Sequence, residues 1–75
     1  MGFRMRTTDE LIRIATAGGG FVLEAGRRTT DELAKIAAAA KRSGATVIFT
    51  NVAMRKTDDL AKIAAAGKGH VTFES

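Results

Sequence analysis

A chain of 75 residues that repeats one helical pattern three times has few folds open to it. The segments TTDELIRIATAGGG (7–20), TTDELAKIAAAAKRSG (29–44) and TDDLAKIAAAGKG (57–69) share one register. Thr8, Thr30 and Thr57 align, then Leu11, Leu33 and Leu60, then Ile14, Ile36 and Ile63. A supersecondary unit this short cannot bury its apolar side alone. Recurrence therefore implies units stacked so that each one covers its neighbour.

Each copy carries its own start and stop signals. Thr7 with Glu10, and Thr29 with Glu32, have the spacing of a capping box, in which two side chains satisfy two free backbone N–H groups. The third copy has Lys56 at that place, so Thr57 is expected to cap there. Asp9 and Arg13, Asp31 and Lys35, and Asp58 and Lys62 are acid–base pairs at i,i+4, a spacing that supports a helix weakly. Leu11, Ile14 and Ala15, Leu33, Ile36, Ala37 and Ala40, and Leu60, Ile63 and Ala64 recur at three and four and form the expected buried stripe. Gly18–Gly20, Gly44, and Gly67 with Gly69 are the expected helix stops.

After each stop comes a β-favouring run: FVLEA at 21–25, TVIFTN at 46–51 and HVTFE at 70–74. Phe21 and Leu23, Val47 and Phe49, and Val71 and Phe73 alternate, so they share the sheet face that meets the helices. Val22, Ile48 and Thr72 fall on the opposite face with Glu24, Thr50 and Glu74. The fold class is thus α/β, one domain over 1–75, with helix–strand units of about 1–25, 26–51 and 52–75. The units build a small parallel sheet with helices on one face. Residues 2–6 match the linker before the third helix, and Phe3 and Met5 alternate with Arg4 and Arg6, which also suits a short extra strand. In outline the architecture is similar to leucine-rich repeats and other short α/β solenoids. The Leu-x-x-Leu-x-Leu consensus is missing, so the likeness is one of topology. The competing arrangement is a two-layer α/β domain with a shuffled strand order.

Composition then narrows function. The chain has no cysteine and one histidine, His70, so neither disulfides nor a Cys/His zinc site is available. Four phenylalanines, with no Trp or Tyr, leave a small core of the kind that often gains stability by oligomerising. No apolar run approaches the roughly 18 residues of a membrane span, and the N-terminus lacks a secretory h-region, so the expected location is cytoplasmic. Twelve Lys+Arg against eight Asp+Glu give a net charge of +4, enough to attract polyanions weakly.

The glycine runs AGGGF and AGKGH follow helices, where the dipole is negative, and a phosphate loop needs glycines ahead of a helix. They read as stops. His70 has no nucleophile or orienting carboxylate beside it in sequence. Asp9, Glu10, Asp31, Glu32, Asp58 and Asp59 occupy helix starts, where capping explains them without a metal. No cofactor or metal is therefore expected, and no catalysis. The expected role is a non-enzymatic repeat module for protein association, forming homo-oligomers or taking another protein partner. Val22 and Ile48 on the bare face, or Arg4, Arg6 and Glu74 at the two ends, would carry self-association. The alternative is a nucleic-acid-binding module, with Arg6, Arg28 and Arg55 lined up by the repeat to hold phosphates. No Tyr or Trp interleaves to stack bases. A third reading is a small enzyme with its site between subunits. Repeats this alike, without Cys, Trp or Pro, also suit an engineered protein; His70, Asn51 and the longer middle copy speak for a natural one.

Overall fold

A computed structural model describes residues 6–74, and within them the three copies fold alike. The order is α1 (Thr8–Thr16), β1 (Phe21–Glu24), α2 (Thr30–Ser43), β2 (Val47–Thr50), α3 (Thr57–Gly67) and β3 (Val71–Phe73). All strands are parallel and lie in chain order, β1-β2-β3, so the shuffled order does not occur. Phe21 stands opposite Val47 and Val47 opposite Val71; Leu23, Phe49 and Phe73 form the next row of that face. The sheet is open. The extra strand expected at 2–6 lies outside the described residues, Arg6 excepted.

Two helix starts follow the sequence. Thr29 accepts from Glu32 N at 3.1 Å and Glu32 Oε1 accepts from Thr29 N at 3.0 Å; Thr7 and Glu10 repeat both bonds. The Thr29 backbone N–H holds the Glu32 carboxyl below its ordinary pKa. The expectation for Thr57 is overturned. The extended backbone that a cap requires falls at Lys56 (φ −67°, ψ 147°), and Thr57 is already helical. Lysine has no acceptor to offer, so α3 starts without a side-chain cap.

The stops also divide. Gly44 closes α2 in the left-handed region at φ 84°, as expected. Gly67 does something else. It is helical and buried, and a Cβ there would sit 3.0 Å from Val71 Cγ1 and 3.2 Å from Ala37 Cβ. It lets α3 approach α2 and β3. The left-handed turn passes to Lys68 (φ 42°) and Gly69 (φ 90°).

Leu11, Ala15, Phe21, Leu23, Leu33, Ile36, Ala37, Ala40, Val47, Phe49 and Ile63 are buried in one core cluster between helices and sheet. The stripe is sealed in the middle unit and incomplete at the ends. Ile14, Leu60 and Ala64, expected inside, are half-buried, as are Val71 and Phe73 of the last strand. The Phe73 ring lies 6.5 Å from that of Phe49, and among the described residues no further strand lies beyond it. Among the described residues no further unit flanks these positions on their outer side, which is the physical reason.

The acid–base pairs within helices give way to a pair between helices. Lys62 meets Asp31 of α2 at 2.8 Å, and among the described residues none of the three i,i+4 pairs closes. The hydrogen bond to Lys62 holds Asp31 below its ordinary pKa, and the same bond raises Lys62. Adjacent α2 and α3 bring these groups closer together than one helical turn does.

Candidate functional site

The repeat-equivalent arginines do stack, and their guanidinium groups join the units. Arg28, in the linker between β1 and α2, donates from Nη1 to Thr8 Oγ1 at 2.9 Å and from Nη2 to the Arg6 carbonyl. One unit later Arg55 repeats the reach. Its Nη1 donates to Thr30 Oγ1 at 3.4 Å and its Nη2 to the carbonyls of Ala25 (2.6 Å) and Arg28. Thus each arginine satisfies the linker carbonyl and the helix-start hydroxyl of the unit before it. Arginine suits the task because its planar fork carries several donors in fixed directions. Arg55 Nε is buried without a partner among the described residues, a cost of fixing the fork there.

The opposite rim, where helices hand over to strands, has its own links. Ser43 Oγ donates to the Ala15 carbonyl, joining the ends of α2 and α1. His70 Nδ1 lies 2.9 Å from the Ala45 carbonyl, joining unit three to unit two. His70 thus has a structural partner. In sequence it showed only as a lone histidine, because the acceptor is a backbone atom 25 residues away.

A depression of about 360 Å³ opens at the carboxyl ends of β1 and β2, with Arg27, Arg28, Asn51 and Arg55 in its lining. Asn51 adopts φ 61° at the start of the linker between β2 and α3 and donates to the Glu24 carboxylate. Asparagine tolerates that conformation better than most side chains. This rim carries the basic row, since Arg6 is exposed at its first position.

Of the other candidate residues, Val22 and Ile48 lie on the sheet face and Glu74 at the carboxyl end of the last strand. Val22 and Ile48 are opposite one another in the ladder, on the face away from the helices. Val22 is 51% exposed and Ile48 half-buried, and Thr72 completes the row. Glu74 is exposed just beyond β3, where its N–H donates to the Phe49 carbonyl at 2.8 Å. Arg4 lies outside the described residues.

Sequence reasoning placed head-to-tail association at the two ends of the stack through Arg4, Arg6 and Glu74; the helix faces at those ends it did not single out. On α1, Arg6, Glu10, Arg13, Ile14 and Ala17 line a depression of about 400 Å³. On α3, Ala61 and Ala65 are exposed beside half-buried Leu60 and Ala64. The apolar positions among them match buried or half-buried ones in the middle copy: Ile14 and Ala17 match Ile36 and Ala39, and Ala61 and Ala65 match Ala34 and Ala38. Their exposure depends on where the stack stops.

Among the described residues no group of three or more His, Cys, Asp or Glu side chains is placed to hold a metal ion. No described helix is long and apolar enough to cross a membrane. Comparison with protein-family models, curated proteins and solved structures gave no match to this chain.

Proposed function

We propose that the protein is a non-enzymatic α/β repeat module whose role is association with other proteins, a second copy of itself included. One observation carries this reading: core positions that are sealed in the middle unit are open in the last one. Leu33, Val47 and Phe49 are fully buried, whereas their counterparts Leu60, Val71 and Phe73 in the last unit are only half-buried. The β3 edge beyond them is unpaired within the described sheet. Partly covered apolar side chains beside an open strand edge are what soluble proteins either shield or use for binding. Light scattering across a concentration series tests self-association. Mass rising from monomer through the micromolar range is the expected result, and a monomer at high micromolar concentration refutes it.

The bare sheet face offers a competing contact, with Val22 and Ile48 of two copies packed together. Ile48→Lys abolishes association if that face carries it and leaves it intact if the ends do.

A second reading rests on the basic rim. The depression lined by Arg27, Arg28 and Arg55 lies where strands end and α2 begins, a region of α/β sheets suited to anions. The reading is a polyanion-binding module. Arg28→Ala and Arg55→Ala then weaken binding and flatten its dependence on salt. Absence of DNA or RNA retardation at low salt, with micromolar protein, removes it. The engagement of Arg28 and Arg55 in links between units favours the association reading.

A further inference from the structure

Resting on the self-association reading, we infer that two copies dock head to tail through their helices, the outer face of α3 on one copy filling the depression on α1 of the next. The contact reproduces the packing already present between α2 and α3.

The repeat supplies the correspondence. Arg13, Ile14 and Ala17 of α1 stand where α2 has Lys35, Ile36 and Ala39, and where α3 has Lys62, Ile63 and Ala66. In α2 and α3 these positions sit beside a preceding helix. Ile36, Ala39 and Ile63 are buried and Ala66 is half-buried. In α1 Ile14 is half-buried and Ala17 is exposed, and they line the depression. At the other end of the row, Ala61 and Ala65 stand where α2 has Ala34 and Ala38. Ala34 and Ala38 are half-buried with a helix following, whereas Ala61 and Ala65 are exposed with none. One end therefore has a place for a helix and the other presents a helix with small side chains on its outer face. Alanine allows two helix axes to approach closely.

Charge selects the same occupant. The α2–α3 contact carries the Lys62–Asp31 ion pair at 2.8 Å. Its counterparts across the proposed contact are Arg13 on the receiving copy and Asp58 on the incoming one, both exposed. Their signs match the existing pair. The two surfaces are different patches, so the contact is heterologous and grows into a ring or a filament. Two α1 ends would instead bring Arg13 towards Arg13, and two α3 ends Asp58 towards Asp58.

Sedimentation velocity on the parent and on three variants, each checked for helix content by circular dichroism, tests the docking. Arg13→Glu and Asp58→Lys each weaken association roughly five-fold, because an exposed ion pair contributes little and reversal adds repulsion. Mixed in equal amounts, the two variants associate again, since the carboxylate introduced on one faces the ammonium introduced on the other. Ala61→Gln with Ala65→Gln holds the helices apart and weakens association about ten-fold without changing charge. If the parent associates and all these variants associate equally well, the docking is wrong and self-association stands on another surface. A parent that stays monomeric at high micromolar concentration overturns the self-association reading itself.

Discussion

Ile36 shows what a single position does in a core this small. It is fully buried, in the same cluster as Leu33, Val47 and Phe49, and its counterparts Ile14 and Ile63 flank it in the repeat. Truncation leaves a cavity that neighbouring alanines cannot fill, so Ile36→Ala costs about 2–5 kcal/mol. Small domains have only a few kcal/mol to lose. Chemical denaturation should show a midpoint far below the parent's; a midpoint within experimental error of it refutes the assignment of the core. The same substitution at Ile14 removes a half-buried side chain and costs less. The alignment cannot tell these isoleucines apart. Only the position of each copy within the stack does. Gly20 makes a related point in reverse: it is exposed, yet a Cβ there would strike the Thr46 carbonyl at the next strand.

At the scale of elements, polar links hold one unit to the next along both rims. Arg55 reaches acceptors at Ala25, Arg28 and Thr30. Hydrogen bonds from a charged donor contribute more than neutral ones, so Arg55→Ala costs about 1.5–3 kcal/mol. Arg55→Lys keeps the charge and loses the fork, and recovers only part of that stability. Urea unfolding of the two variants separates these contributions, and a lysine variant as stable as the parent refutes the forked link. The sequence placed Arg6, Arg28 and Arg55 in one row through their equal spacing from the aligned threonines. It did not reveal where the guanidiniums point, because their acceptors are backbone carbonyls, which every residue has. Lys62 is similar. Its helix offered Asp58 at i,i+4, and the neighbouring helix brought Asp31 to 2.8 Å.

For the molecule as a whole, the ion pair and the capping box of α2 set a direction for pH dependence. Asp31 and Glu32 have folded pKa values below their ordinary ones, so their stabilisation is present above those ordinary values and is lost as pH falls through the lowered ones. Lys62 is raised, so its contribution is present below the ordinary lysine value and is lost as pH rises through the raised one. Thermal melting should therefore be flat across neutral pH, with losses from these groups at the acid and alkaline ends. Asp31→Asn removes the Lys62 partner, so its alkaline limb should be shallower than the parent's. Parallel limbs in the two proteins would show that the pair contributes nothing, water screening it fully.

The sequence by itself determined the local and periodic features. Helix, turn and strand recur because capping residues, apolar spacing and alternation each act over a few residues, and three copies state them three times. Parallel orientation followed from the short helix-bearing connections, whereas the order β1-β2-β3 came only with the structure. Tertiary structure decided whatever depends on a neighbour: which glycine turns the chain and which makes room for packing, which acid meets Lys62, and which copies of an aligned residue are covered. Gly67 and Gly44 read alike in the chain, yet one packs against Val71 and Ala37 while the other adopts φ 84°. Ile14 and Ile36 read alike as well, and an adjacent helix covers only the second completely. Burial is a relation between units, and a stack with two ends gives identical positions different surroundings.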